Sequence, residues 1–228
     1  MQRKSALVVS TLSFACLLAA QNTRDKVETR QTEHMTFEPS AVVHLENILG
    51  HVRAEGWTRP DVEVTIVKAT KDYFSGDQQE TAAKELDKVK TSFTRKGEEI
   101  VVASEYKQGG IPGFRTDPPV DITYEIKMPQ DARLVIDQNS GDVSMSRLLG
   151  DIRVTMEHGS VTAFVPSEGQ YSVDAKSKFG TVTSNLATAQ HGLYFLGERL
   201  DYDASKTQHK IVLRAKFGDI VIVHAPAP

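Results

Sequence analysis

The sequence predicts an all-β protein, a stack of short strands wound in the manner of a β-solenoid or β-helix, with a β-rich N-terminal portion and one short helix. Three observations predict it. The runs "DVEVTIVKAT" and "VDITYEIKMP" alternate apolar and polar residues at period two, the signature of strands with one buried face. Glycines stand at 141, 150 and 159, nine residues apart, and each is followed two and four residues later by an apolar pair: Val143/Met145, Ile152/Val154 and Val161/Ala163. A nine-residue repeat does not fit a helical face, but it fits a strand of about five residues plus a tight turn. Only one stretch, residues 77–88, has helical spacing. Two apolar side chains per repeat cannot make a core alone, so repeats must share one. An antiparallel β-sandwich is the competing geometry, which the period alone does not separate from a solenoid.

Taken in order, the chain of 228 residues opens with Arg3 and Lys4, an apolar run from Ala6 to Leu18, and Ala19-Ala20. This reads as a signal peptide over residues 1–20, because the apolar run is shorter than the ~20 residues a membrane span needs. No later segment reaches that length, so no integral membrane segment is expected in the mature chain. The only cysteine, Cys16, lies inside the signal, which leaves no disulfide framework and no thiolate for catalysis or zinc. A lipid anchor through Cys16 is the minority alternative, since Ser13-Phe14 before it fit a lipobox poorly.

Residues 21–36 are polar, without apolar period, and read as a flexible leader. The N-terminal β-rich portion is expected over 37–128. Its helix near 77–88 rests on the spacing of Ala82, Ala83, Leu86, Val89 and Phe93, with Asp77 and Glu80 as a capping pair. A hairpin turning at Lys96-Gly97 follows, and then the loop "KQGGIPGFRTDPP". The glycine-marked portion, 129–224, continues the domain through Gly169, Gly180 and Gly192, and Gly50 and Gly218 are outlying copies of the same form. The two prolines that close the chain cannot extend a strand ladder.

"LENILGHVRAEGWTRPDVEVTIVKAT", "YEIKMPQDARLVIDQNSGDVSM" and the recurring Gly-Asp/Ser/Thr-Val/Ile steps resemble the bacterial putative-adhesin family of unknown function. The resemblance covers roughly residues 37–223. It implies an exported protein whose glycine-marked strands wind into a β-helix-like sheet, with surface adhesion as its role and no catalytic residues to carry over. The helix-bearing stretch and the Gly/Pro-rich loop are departures from that pattern.

The chemistry-bearing residues point the same way. Without Arg3 and Lys4 the chain holds 25 basic and 30 acidic residues, a net charge of −5, and no basic block with interleaved aromatics, so no nucleic-acid partner is expected. Seven histidines form neither HExxH nor another metal spacing, and no nucleotide or nucleophile-elbow fingerprint is present, so no cofactor, metal or catalytic residue is expected. Asp142, Asp151 and Asp219 each follow a repeat glycine. They read first as turn residues, and alternatively as an acidic ladder for calcium or paired carboxylates of a polysaccharide lyase or hydrolase. Exposed aromatics are the better lead, and Trp57, Phe114, Arg115 and Tyr194 are the residues expected on a binding surface. The expected function is non-enzymatic: adhesin-like binding of an envelope glycan or protein, in the periplasm or at the cell surface, with an envelope sensor or regulatory partner as a further alternative.

Overall fold

Alternation sorts the apolar side chains onto one face of each strand, and two sheets close over those faces to share a single core. The computed structural model describes residues 24–38, 41–106, 120–166, 171–187, 189–191, 197–203 and 208–225. The predicted signal, Cys16 and the "GGIPGFRTDPP" stretch lie outside them. With strands numbered along the chain, the first sheet has eight. In spatial order these are β1 (Glu28–Thr36), β4 (Asp61–Thr70), β7 (Val120–Pro129), β3 (His51–Trp57), β9 (Val143–Ser146), β11 (Val161–Pro166), β17 (Ile220–Ala225) and β13 (Val182–Ser184). The second sheet has nine: β14 (Gln190–His191), β15 (Glu198–Asp203), β12 (Tyr171–Phe179), β16 (His209–Phe217), β10 (Ile152–His158), β8 (Arg133–Ser140), β2 (Val42–Leu49), β6 (Glu99–Tyr106) and β5 (Val89–Lys96).

The layout is sandwich-like, but the sheets are mixed, which corrects the antiparallel alternative. Antiparallel pairing is confined to the two ends of the sheets, at β1–β4, β4–β7, β5–β6, β12–β15 and β14–β15. The centre is parallel because the chain passes from the second sheet to the first at each corner and comes back by the opposite edge, so that neighbours run the same way. Glycine makes the corner five times: β2–Gly50–β3, β8–Gly141–β9, β10–Gly159–β11, β12–Gly180–β13 and β16–Gly218–β17. Gly150, one of the three glycines that set the nine-residue period, belongs to the return from β9 to β10 at the opposite edge. One full circuit is therefore 18 residues, the offset between Asp142 and Ser160, which are hydrogen-bonded neighbours.

The circuits do not stack in the order of the chain, as a regular winding would require. Along the parallel centre the order is β2–β3, β8–β9, β10–β11, β16–β17, β12–β13, so the last two strands lie between two earlier circuits.

Two expectations for the N-terminal half are resolved by packing. The second part of the segment expected to be a flexible leader forms β1, paired with β4 from Glu28↔Ala69 to Thr36↔Asp61. Its polar sequence suits an edge strand that contributes main-chain hydrogen bonds and leaves most side chains in solvent. The helix forms as α1 (Gln79–Leu86), burying Ala82 and Leu86. Between β5 and β6 the hairpin turns at Gly97, whose φ of 65° is the conformation that a tight turn asks of glycine.

The core is built from the inward positions, among them Leu45, Ile100, Ile122, Tyr124, Met128, Ile136 and Leu213, each fully buried. At about 1.5–3 kcal/mol per buried side chain, such a shared interior supplies what no single circuit can. Two of its polar members, Gln138 and Ser177, serve the corners. The Gln138 side-chain amide donates to the Gly50 and Ser140 carbonyls at 2.8 and 3.1 Å, and the Ser177 hydroxyl donates to the Gly218 carbonyl at 2.7 Å.

Candidate functional site

The corner column positions a stack of half-exposed aromatic rings. Four of the five corner glycine N–H groups donate to the carbonyl of the pre-glycine residue one circuit along: Gly50 to Ser140, Gly141 to His158, Gly159 to Phe217 and Gly218 to Phe179, at 2.9–3.1 Å. Two residues further on, Val52, Val143, Val161 and Ile220 repeat the pattern. The ladder therefore runs unbroken around the bend and holds equivalent residues one strand spacing apart.

A Cβ on Gly159 would lie 1.8 Å from the Gly141 carbonyl oxygen, and one on Gly218 would lie 1.6 Å from that of Gly159, so only glycine lets the circuits approach this closely.

The residues before these glycines form a column of their own. His158, Phe217 and Phe179 stack at centroid separations of 4.9 Å, with planes 4° and 11° apart. That separation matches the strand spacing, so the stack follows from the register of β10, β16 and β12. Phe179 and Phe217 remain 40% and 39% exposed, and the Lys178 and Lys216 ammonium groups lie 5.3 and 5.6 Å from their ring centroids. Offset stacks of this kind contribute about 0.5–1.5 kcal/mol per pair, yet leave a ridge of ring edges in solvent. Further along the column Ser140 and Leu49 replace the rings, and there a groove of about 220 Å³ opens, lined by His51, Lys71, Asp121 and Ile122.

The residues after the glycines form the second column: His51, Asp142, Ser160, Asp219 and Thr181. Here the carboxylates are committed to the turns. Asp142 Oδ1 accepts from the Ser160 hydroxyl at 2.6 Å and its N–H at 3.0 Å, and Asp219 Oδ1 accepts from the Thr181 hydroxyl and N–H, both at 2.8 Å. The Ser160 hydroxyl, opposed by partial burial, holds the Asp142 carboxyl below its usual range, and the Thr181 N–H and hydroxyl do the same for Asp219. Asp151 is not in this column. It starts β10 at the opposite edge and accepts from the Lys210 N–H at 2.9 Å, about 20 Å from Asp142 along the sheet.

Of the residues expected on a binding surface, Trp57 is described and Phe114, Arg115 and Tyr194 lie outside the described residues. Trp57 ends β3 at the edge away from the glycine corners. Its indole donates to the Asp61 carbonyl at 2.8 Å, and the Arg59 guanidinium covers the ring at 4.0 Å. Those contacts fix it as a brace for the turn into β4, apart from the aromatic ridge.

Sequence reasoning passed over the ridge because it read the residues after each glycine. The signal stood before them: Lys-Phe-Gly occurs at 178–180 and again at 216–218, and His-Gly at 158–159.

A second polar group spans the outer face of the second sheet. His44 on β2 bonds Glu99 of β6 through Nδ1 at 2.6 Å and Asp137 of β8 through Nε2 at 3.1 Å. Burial pulls its pKa down, but the hydrogen bonds to Asp137 and Glu99 outweigh that and hold it above the ordinary histidine value.

No protein-family model and no curated protein sequence matches the chain. Solved structures do. One is a putative cell adhesion protein from Clostridium sporogenes, 13% identical, aligned over 86% of this chain and 100% of that one with a TM-score of 0.50. That likeness shows the fold. A putative adhesin from Bacteroides fragilis (9% identity, 85% and 97% coverage, TM-score 0.23) and a putative lipid binding protein from Parabacteroides distasonis (6%, 86% and 95%, 0.28) also align. Among the described residues no helix is long and apolar enough to cross a membrane.

Proposed function

We propose that the chain is an exported, non-enzymatic binding protein of adhesin type, a member of the putative-adhesin family acting in the periplasm or at the cell surface, with the parallel centre serving as a short solenoid-like scaffold. The observation that carries this reading is the ridge of His158, Phe217 and Phe179. It is rigid, held by main-chain bonds on both sides of the bend, and it presents two large apolar side chains that the core does not need. The signal-like start of the sequence supports export, and the adhesion protein that shares the fold supports the class. The carboxylate-enzyme alternative finds no support in the geometry: Asp142 and Asp151 sit about 20 Å apart, whereas carboxyl pairs that cleave glycosidic bonds stand about 5–9.5 Å apart.

The test is retention of the protein on envelope material from its own cells. The double variant Phe179→Ala, Phe217→Ala is expected to lose retention about tenfold while staying folded, at a cost of about 1–3 kcal/mol for the two ring stacks removed. Undiminished retention of a folded double variant contradicts the assignment of this ridge.

A further inference from the structure

We propose that the ridge docks on an anionic lipid surface, Phe179 and Phe217 entering the headgroup layer while the cations beside them meet the phosphates. The inference rests on the binding reading above and names its partner. Its first support is charge. The chain as a whole is acidic, at −3, yet the outer face of the second sheet next to the ridge carries Lys176, Lys178, Lys216, Arg214 and Arg199. Asp174 neutralises Arg214, Asp201 pairs Arg199 and Glu157 pairs Lys216, but among the described residues neither Lys176 nor Lys178 has a carboxylate partner. Lys176 stands directly opposite Arg214 on one neighbouring strand and Arg199 on the other. Like charges in cross-strand register destabilise a sheet, and an anion laid across them relieves the repulsion.

The second support is the way the rings are presented. Phe217 has His158 on one face and Phe179 on the other, all nearly parallel, so its faces are taken. A sugar ring recognised by an aromatic residue lies on an open face. An acyl chain needs only an apolar edge, and an edge is what Phe217, the middle ring of the ridge, offers. The lysines match this arrangement. Lys178 and Lys216 keep their ammonium groups within 6 Å of the ring centroids, so each exposed ring has a cation beside it, the pairing of apolar and cationic groups that a lipid interface favours.

The full chain is tested by sedimentation with vesicles of phosphatidylcholine alone and with one-third phosphatidylglycerol. The zwitterionic vesicles set the contribution of the apolar residues 6–18. Affinity for the anionic vesicles is expected to exceed that baseline at least tenfold. It should fall about tenfold in Lys176→Gln, Lys178→Gln and by a similar factor in Phe179→Ala, Phe217→Ala, and it should weaken with salt. Both lysines are exposed, so that variant keeps the test sharp if the phenylalanine pair folds poorly. Equal binding to both vesicle types, or anionic binding untouched by either variant, overturns the proposal. Binding to an acidic polysaccharide such as polygalacturonate with none to vesicles also overturns it, in favour of a glycan. In that case ridge-dependent retention on envelope material still stands, whereas loss of both removes the binding reading as well.

Discussion

At the residue scale, the corner glycines and His44 answer to different forces, one steric and one electrostatic. Gly159 combines a φ of 130° with a Cβ position 1.8 Å from a main-chain oxygen that cannot move without breaking the ladder. Gly97 has a φ of 65° and open space around it. Gly159→Ala is therefore expected to cost upwards of about 4 kcal/mol, or to prevent folding, while Gly97→Ala costs about 1–2 kcal/mol of backbone strain alone. Urea unfolding of the two variants side by side checks this; similar losses would mean that the circuits can part at the corner. His44 gives a pH test. Its folded pKa is raised, so the Glu99–His44–Asp137 bridge contributes fully below the unfolded value of about 6.5 and is lost as the pH climbs through the folded value. The melting-temperature gap between the parent and His44→Gln is expected to be widest at about pH 6 and to close toward about pH 9. A gap that widens with pH would reverse the assignment of charge.

At the scale of elements, the pair β16–β17 carries more than its own packing. It alone joins β10–β11 to β12–β13, pairing with both in each sheet. A chain ending after Asp203 leaves two long parallel edges uncovered and strands a circuit that has no other parallel neighbour. We expect it to lose the single cooperative unfolding transition and to associate through those edges in size-exclusion chromatography. A monomer with one sharp transition would show that the remaining strands re-pair. Element by element, much was legible in the sequence. Alternation located β4 and β7, and helical spacing located α1, but the expected capping pair Asp77 and Glu80 does not cap it: Ser75 and Gln78 form the box ahead of the helix. The first three glycines gave the turns. β1 was not legible, because an edge strand held by main-chain bonds has no need of apolar period, and its polar residues look like those of a leader.

The whole molecule was legible in class and hidden in order. Period and composition identify an all-β chain with a shared core, since both follow from local conformation and burial. They carry no information on which circuit lies beside which, because Gly218 has the same local signature as Gly159 and would serve as well at the end of a stack as in its middle. The aromatic ridge was hidden for the same reason: Phe217 touches His158 and Phe179 only through the inserted circuit. That insertion has a consequence in time. The strands that bridge β10–β11 and β12–β13 follow both of them in the chain. Until β16 and β17 are in place, β12–β13 share no ladder with β10–β11, so that circuit joins the sandwich only after every other pair has had the chance to form.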